Sequence, residues 1–421
     1  MGMNDILAKL EINIRLVGMV AALAAVWISF NYFTDGLFLT PRNLWNLSVQ
    51  TASIATMSCG MVLVIVTRNI DLSVGSILGF SGMILGVVQA RFLPVDLGWG
   101  FEHGATWIVA VAVGLGVGAL IGTLQGFIIA YLGVSSFIVT LGGLLVWRGA
   151  AWWVTQGQTV APIDARFRMI GGGIEGAVGA SVSWAIGIAG TLLVIALMWM
   201  ARRRRIAYGF SIRPAWSEAV IYGVVAIAIL GTTWIVNSYY VPASVARSLV
   251  EARGQVWPDG GISIAHGYAI PVLIALGAGI LVSFLAARTR FGRYVFAIGG
   301  NPEAAELSGI KTRRTQMLVF TLMGLLCGLA ACISTARLQS ATNATGTFDE
   351  LYVIAATVIG GTSLSGGVGT VYGAMLGAIL MGSLQSGMLL LDMPTPLQNI
   401  VVGCVLVLAV WVDGLFRRRV K

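Results

Sequence analysis

The side chains that could do chemistry are few in this chain, and their spacing excludes most catalytic sites. Each of its three lysines, Lys9, Lys311 and Lys421, follows Ala, Ile or Val, whereas a phosphate-binding P-loop needs a lysine directly after glycine. The four cysteines lie in apolar runs, as small buried side chains do, and the two histidines are isolated. We therefore expect no metal site, no nucleophile, no cofactor and no ATP hydrolysis in this chain.

Two short polar segments, 67–76 and 360–370, interrupt apolar runs. Both carry Leu-Ser followed by Gly, which suggests an internal repeat, although two flexible loops would look the same. Irregular backbone inside a membrane is tolerated where it lines a cavity, so these breaks predict a path for a polar solute. Asp71 fits an N-cap of the following helix equally well. The predicted path residues are Asn69, Asp71, Ser73, Gly361, Thr362, Ser363 and Ser365.

A third patterned segment, 288–314, is long for a loop between two spans and is rich in arginine. Within it, Asn301 before Pro302 has the form of an N-cap followed by proline at the first helical position. Residues 303–307 favour helix, and Gly309 is placed to end it. A short rigid helix flanked by basic residues predicts docking to a soluble partner. The alternative is a basic loop that lies on anionic lipid.

The elements that must position these segments are membrane helices. Of the 421 residues, 57% are hydrophobic, 10% are charged and 55 are glycine. A soluble domain has about 25% charged residues and about 7% glycine, so these proportions exclude a soluble enzyme. A disordered chain would show the opposite composition. The predicted fold class is an all-α polytopic membrane protein.

The number of spans follows from the apolar runs, because a bilayer core takes roughly 20 apolar residues in a helix. About 12 transmembrane helices are expected on this basis. Residues 351–391 form either two full spans or one span and a broken hairpin, because glycines interrupt the run. The runs lie near 14–34, 46–67, 72–90, 106–131, 135–155, 184–201, 218–239, 266–287, 315–336, 351–366, 368–391 and 397–416.

Basic residues set the predicted orientation. Eighteen of the 26 lysines and arginines fall in alternate loops on one side, and seven fall on the other. The positive-inside rule then places both termini in the cytoplasm. On this interpretation the net charge of +9 reflects the orientation of the chain in the membrane, and binding to nucleic acid is not needed to explain it.

Small residues at four-residue spacing predict close helix packing. Gly114, Gly118, Gly122 and Gly126 form one stripe along the fourth run. Such a stripe packs either inside one chain or at the seam of a homodimer.

Three separated segments carry a resemblance to a known family. They are 69–76 (NIDLSVGS), 291–310 (FGRYVFAIGGNPEAAELSGI) and 358–369 (VIGGTSLSGGVG), and they resemble the monosaccharide permeases of bacterial ABC importers, the ribose, arabinose, galactose and xylose group. Ribose-type members resemble the chain without residues from about 160 to 265. The basic loop 202–205 with its flanking spans is most similar to the D-xylose transport permeases, as are 134–140 and 159–162.

The resemblance implies an architecture and a set of partners. A single permease domain over 1–421 would comprise a ten-helix core, an inserted helix pair over 184–239 and a cytoplasmic coupling loop over 288–314. A homodimer in the inner membrane lipid would meet cytoplasmic ATPase subunits that bind ATP and Mg, and a periplasmic sugar-binding protein would load it. The outer loop 241–265 is longer than in xylose-type members, which leaves the sugar open. The implied ATPase-coupling residues are Gly300, Asn301, Pro302, Glu303, Ala304, Ala305, Ser308, Gly309 and Ile310.

Three other functions fit the sequence less well. A proton-coupled secondary sugar transporter would share the spans and the cytoplasmic termini, but such carriers keep carboxylates inside their spans, and Asp71 is almost the only candidate. Arg148, inside the fifth run beside Trp147, either reaches the membrane surface or hydrogen-bonds a sugar. A channel lacks a filter motif, and an integral-membrane enzyme lacks a catalytic constellation.

Overall fold

Helices make up the described part of this protein. The computed structural model describes residues 14–101, 103–210, 213–252, 254, 256–258 and 261–418. Both chain ends, where cytoplasmic termini are predicted, lie outside these residues. Within the described ranges the chain forms helices and isolated β-bridges but no strand, so the all-α prediction is confirmed.

The helices follow one another with short connections. α3 continues as a π-helical stretch, Val88–Asp96, which contains Pro94. In chain order the α-helices are α1 (Ile14–Phe33), α2 (Pro41–Val66), α3 (Val74–Val87), α4 (Thr106–Tyr131), α5 (Ser136–Thr155), α6 (Ala165–Arg168), α7 (Gly179–Ala207), α8 (Ala215–Asn237), α9 (Ala243–Ala252), α10 (Ile270–Arg288), α11 (Arg290–Gly300), α12 (Pro302–Leu307), α13 (Thr312–Leu338), α14 (Asp349–Ile359), α15 (Val371–Leu390) and α16 (Thr395–Arg418).

Ten helices in the described ranges are long and apolar enough to cross a membrane. The full span considered over 351–366 does not form, because α14 has 11 residues and is about 16 Å long, half of the bilayer core. The broken hairpin is therefore the correct alternative. In α16 the described apolar stretch is Thr395–Leu408, so the described residues do not confirm the expected 12 full spans.

The chain divides into two compact units. The smaller comprises Met1–Ala22, Leu39–Trp45 and Ala177–Ala269, and the rest forms the larger. In the smaller unit α7 and α8 pack against each other, at the position of the helix pair predicted over 184–239. The predicted single permease domain over 1–421 stays a prediction.

In the larger unit, α4 and α13 pack with their backbones in near contact. A β-carbon at Gly118 would collide with the carbonyl oxygen of Gly324, and one at Gly122 would collide with that of Phe320. Gly116, on another face of α4, has nothing within 4 Å of such an atom. The predicted stripe on α4 therefore packs inside the chain and is not the seam between two copies.

The glycines of α3 accommodate the loop between α13 and α14. A β-carbon at Gly79 would lie 2.7 Å from the carbonyl oxygen of Thr345, and one at Gly75 would collide with that of Gly346. The loop therefore runs along α3 and brings the start of α14 to the start of α3. There the carboxylate of Glu350 packs against Gly75.

The cysteines are all free, but they differ in burial. Cys59, Cys327 and Cys332 are buried, as expected, whereas Cys404 is exposed on the surface of α16. The prediction of four buried cysteines is thus wrong for Cys404, because its apolar helix presents that face outward.

Candidate coupling and translocation site

The helix α12 begins and ends where the sequence predicts. The side chain of Asn301 accepts a hydrogen bond from the backbone N–H of Ala304 at 3.1 Å, and Pro302 occupies the first helical position. At the other end, Gly309 has a φ of 80°, a region that favours glycine. Its N–H donates to the carbonyl oxygen of Glu306 at 2.9 Å. Both ends are therefore set by local hydrogen bonds.

Most of α12 faces outward. Glu303, Ala304 and Ser308 are exposed, Ala305 is buried, and Ile310 is half-buried. Leu307, which was not among the predicted coupling residues, is 89% exposed. It is the one large apolar side chain of α12. Single exposed apolar residues are common on protein surfaces, so Leu307 supports docking only together with the charged groups beside it. The sequence signal was the leucine at the end of the segment EAAEL, which has no other large apolar residue.

A recess of about 380 Å³ lies beside α12. Its rim is basic, with Lys311, Arg313 and Arg314, and Glu306 and Ile310 also line it. A partner that docks here would meet positive charge beside the exposed leucine, which favours an acidic surface on that partner.

Arg68 joins the end of α2 to this segment. Its guanidinium donates from Nε to the carbonyl oxygen of Gly299 at 2.8 Å and from Nη2 to that of Gly300 at 2.6 Å. These are carbonyl groups at the C-terminus of α11, where helix geometry leaves acceptors unpaired and positive charge is favoured. Arg68 therefore anchors the residue that precedes Asn301.

The two polar breaks meet at the end of α2. The N–H of Gly367 in the second break donates to the carbonyl oxygen of Val66 at 3.0 Å. Gly366 and Gly367 have φ values of 84° and 76°, which favour glycine. A β-carbon at Gly299 would lie 2.6 Å from the nitrogen of Gly367. Three segments that are distant in sequence thus contact one another here.

The first break contains a buried polar network. Asp71 is 1% exposed, and its Oδ1 accepts from the N–H and the hydroxyl of Ser73 at 2.9 Å and 2.5 Å. Asn69 donates to the carbonyl oxygen of Thr67 at 3.0 Å and accepts from Gln316 at 3.1 Å. The N-cap position of α3 is Ser73, so the N-cap prediction for Asp71 is wrong by two residues. Asp71 nevertheless satisfies a backbone N–H.

Gln125 of α4 belongs to this network and was missed from the sequence. Its Oε1 lies 3.0 Å from the hydroxyl of Ser73, and its Nε2 is buried against Gly143 without a hydrogen-bond partner among the described residues. The Ser73 hydroxyl donates its proton to Asp71. If the side-chain amide of Gln125 is turned over, so that its nitrogen takes the place of its oxygen, that nitrogen donates a hydrogen bond to the hydroxyl oxygen of Ser73. A lone amide inside an apolar span was the available signal, as it was for Gln316.

The second break is a tight polar loop. The N–H of Ser363 donates to the carbonyl oxygen of Val368 at 2.8 Å, and the hydroxyls of Ser363 and Ser365 lie 3.0 Å apart. The hydroxyl of Thr362 is buried without a partner in the described part of the chain, and Gly361 has a φ of 87°. Ser365 is the exposed member of the set. The predicted role of both breaks in translocation stays a prediction.

Arg148 lies inside the bundle near two carboxylates. Its Nη1 donates to the carbonyl oxygens of Asn343 and Thr345, at 2.9 Å and 2.8 Å. Glu350, at the start of α14, is 7% exposed, and its Oε2 has no hydrogen-bond partner in the described ranges. Asp349 is next to it and interacts electrostatically with the arginine.

Two expectations are corrected by this arrangement. The guanidinium of Arg148 bonds to a loop inside the bundle, so it does not simply extend to the membrane surface. The expectation that Asp71 is almost the only carboxylate within the bundle is wrong, because Glu350 is buried there as well. The sequence does not single out Glu350, because the apolar run that predicts a span begins at the next residue.

Known proteins resemble this chain over most of its length. A family model described as branched-chain amino acid transport system / permease component matches residues 43–410. The xylose transport system permease protein XylH of Escherichia coli K12 is 40% identical over 411 residues, covering 97% of this chain and 94% of that protein. XylH of Haemophilus influenzae is 36% identical over 405 residues, covering 96% and 97%. The ribose import permease protein RbsC of Escherichia coli K12 is 32% identical over 377 residues, covering 90% and 87%. No solved structure matches the chain.

Proposed function

The chain belongs to this family of transport-system permease components, and we propose that it carries a monosaccharide, D-xylose or a related sugar, into the cytoplasm. It is a multi-pass inner-membrane permease of the sugar ABC transport type. The observation that carries the sugar assignment is the 40% identity to a xylose permease along nearly the whole of both chains. The specific sugar is a proposal because a separate binding protein would supply much of the selectivity.

The energy would come from a partner. The chain has no P-loop lysine, so ATP and Mg would bind to a cytoplasmic ATPase subunit. The docking element would be α12, with Leu307 exposed at its tip and a basic recess beside it. Two copies of the permease would stand on two ATPase subunits, and a periplasmic sugar-binding protein would deliver the sugar from the other side.

The coupling route would run from α12 through Arg68. Closure of the ATPase pair would move α12 as a rigid body, since both of its ends are held by hydrogen bonds. Gly300 would transmit that movement to Arg68 and hence to the end of α2, where both breaks meet. ATP binding could then shift the population between outward-open and inward-open forms, because it favours one position of α12.

The sugar path would pass the starts of α3 and α14. Sugar hydroxyls both donate and accept hydrogen bonds, and Arg148 and Glu350, which interact electrostatically, offer a donor and an acceptor. Discontinuous helices whose N-termini lie inside the membrane are typical of transporter binding sites. The polar groups of the two breaks, from Asn69 to Ser73 and from Gly361 to Ser365, would line the rest of the path.

Reconstitution tests this function. The permease, its ATPase and its binding protein would be placed in liposomes, and ATP hydrolysis would be measured against a panel of pentoses and hexoses. Stimulation by xylose, or by one related sugar, with uptake that requires ATP, is the expected result. Uptake driven by a proton gradient without ATP would instead establish the secondary transporter, for which the buried Glu350 would be the proton carrier.

A further inference from the structure

Phe348, at the start of α14, has an unusual backbone conformation. Its φ is 67°, in the left-handed region, where the β-carbon of an L-residue is crowded by a carbonyl oxygen. Glycine is the usual residue in this region, and large side chains rarely adopt it. The side chain of Phe348 is 48% exposed, so full burial of the ring does not compensate for the strain. Strain that persists at such a position suggests a role for the side chain itself.

The loop that leads to this residue enters the bundle from the outer side. Ala341, shortly after α13, pairs with the segment beyond α5 and lies against Gly86 of α3. Gly346 lies against Gly75, which is about 16 Å away along the same helix. The predicted topology places the end of α13 on the outer side, so the loop descends through about half of the bilayer core before α14 begins. Phe348 therefore lies deep inside the membrane region.

Part of this loop is exposed at that depth. Ala344, Thr347 and Phe348 are the exposed residues. Irregular backbone does not face lipid within the hydrocarbon region, and it occurs there only against protein or along a water-filled cavity. We expect the exposed side of the loop to line the proposed sugar path, because its backbone needs polar surroundings.

Charged and polar groups flank the ring in the chain. Asp349 interacts electrostatically with Arg148 and Arg337. The Oε2 atom of Glu350 and the hydroxyl of Thr345 are buried, and neither has a hydrogen-bond partner in the described ranges. Leaving a buried polar atom unpaired is costly, so these two atoms favour a ligand that offers hydroxyl groups. A sugar can donate to the carboxylate, and it can donate to or accept from the threonine.

We propose that Phe348 is the platform on which the ring of the transported sugar stacks, and that its left-handed backbone keeps the aromatic face open to the path. The face of an aromatic ring is negative and attracts the weakly positive C–H groups of a sugar ring. The hydroxyls at the rim of that sugar would reach Glu350 and Arg148, as a few placed polar groups orient a ligand in an otherwise apolar site. This proposal rests on the proposed function and adds a determinant of selectivity for ring-shaped sugars within the permease.

Two substitutions separate the aromatic face from the backbone conformation. Phe348→Tyr keeps the face and Phe348→Leu keeps only apolar bulk, while both leave a side chain at the same φ. In liposomes with the permease, its ATPase and its binding protein, the tyrosine variant should take up sugar nearly as fast as the unaltered protein does, and the leucine variant about fivefold to tenfold more slowly. Phe284→Leu, at an exposed position of α10, is the matched control and should not change uptake.

A fluorine probe detects sugar at this position without transport. In the purified full chain, para-fluorophenylalanine would replace Phe348 or, as the control, Phe284. Its fluorine NMR resonance would be followed as D-xylose, D-ribose or xylitol is added. We expect a shift with at least one of the two sugars, and none with xylitol, which cannot form a ring, and we expect it at Phe348 only.

Other results would overturn the proposal. Equal uptake by the tyrosine and leucine variants would show that the aromatic face is not used, as expected if the ring packs against a second permease copy. A resonance that no sugar shifts, in a permease whose complex transports sugar, would also contradict it, even if the leucine variant fails to fold. Failure of the unaltered complex to take up any sugar would instead refute the proposed function, and this proposal with it.

Discussion

The guanidinium of Arg68 is hydrogen-bonded to the carbonyl oxygen of Gly299, with a distance of 2.8 Å from Nε to the oxygen. This bond joins the end of α2, where the first polar break begins, to Gly299 in α11, two residues before Asn301, which connects α11 to α12. The second break touches the same place through Gly367 and Val66. A displacement of α12 would therefore reach both breaks through a few short bonds.

Replacing Arg68 should uncouple hydrolysis from transport. Arg68→Ala removes two charge-assisted hydrogen bonds, and each such bond contributes about 1.5–3 kcal/mol. We expect sugar-stimulated ATPase activity in the assembled complex to fall about tenfold or more, with the permease still inserted in the membrane. Arg91→Ala is the matched control, because its guanidinium is exposed and lies 4.0 Å from Asp96. Equal activity in the two variants would contradict the coupling role of Arg68.

Gly309 should tolerate no residue with a fixed negative φ. Its φ of 80° is inaccessible to proline, whose ring holds φ near about −65°. Gly309→Pro should therefore abolish sugar-stimulated ATPase activity. Gly309→Ala, which costs about 1 kcal/mol at such a position, should reduce it only partly. The measurement is the ATPase rate of reconstituted complexes, and normal coupling in the proline variant would refute the role of this helix end.

Leu307 should contribute to assembly with the ATPase. Leu307→Ser leaves the hydrogen bonds at the ends of α12 in place and removes an apolar side chain that is 89% exposed. Burial of a leucine contributes about 1.5–3 kcal/mol, so co-purification of the ATPase should weaken at least tenfold. Val256→Ser, at a position that is 91% exposed, serves as the control. Undiminished binding in the Leu307 variant would exclude this residue from the interface.

Gly118 should be sensitive to substitution, whereas Gly116 should not. A methyl group at Gly118 would collide with the backbone of α13, and overpacking of this kind costs about 1–3 kcal/mol. Gly118→Ala should therefore lower the thermal unfolding temperature in detergent. Gly116→Ala, with open space at its position, should leave that temperature unchanged. Equal sensitivity at both positions would contradict the packing of α4 on α13.

Glu350 should be needed for transport. Glu350→Gln keeps the size of the side chain but removes its charge next to Arg148, and hydrogen bonds to charged groups are stronger than neutral ones by roughly a factor of two. Sugar uptake by the reconstituted complex should fall about tenfold. Glu251→Gln changes an exposed carboxylate paired with Arg247 and should not affect uptake. Full uptake in the Glu350 variant would remove this residue from the path.

Local features were the predictable part of the candidate site. Asn301, Pro302 and Gly309 act within one short helix, so their residue types alone specify its start and end. Arg148 was recognised as unusual, but its partners were not, because they lie in a loop almost 200 positions away in the sequence, as far as Thr345. Gln125 stands out in the sequence as a lone amide in an apolar helix, but that position alone does not show that it contacts Ser73.

The span count failed for a related reason. Hydropathy measures the length of an apolar run, and the run from 351 to 366 is long enough to suggest a span. The helix ends at Ile359 because Gly360 and Gly361 follow and the chain turns back against α15. Hydropathy does not distinguish a half-helix that is enclosed by protein from a span that faces lipid.

The sequence by itself determined that this protein is a bundle of membrane helices, that α12 is capped at both ends and that α4 presents a packing stripe. These properties depend on composition and on spacings of a few residues, which the chain specifies locally. Only the tertiary structure decided that the two breaks and the end of α11, which precedes α12, converge at Arg68, and that Arg148 interacts electrostatically with the buried Glu350. Those relationships join residues as far apart in sequence as Val66 and Gly367, and their geometry arises from how the helices pack rather than from any local pattern.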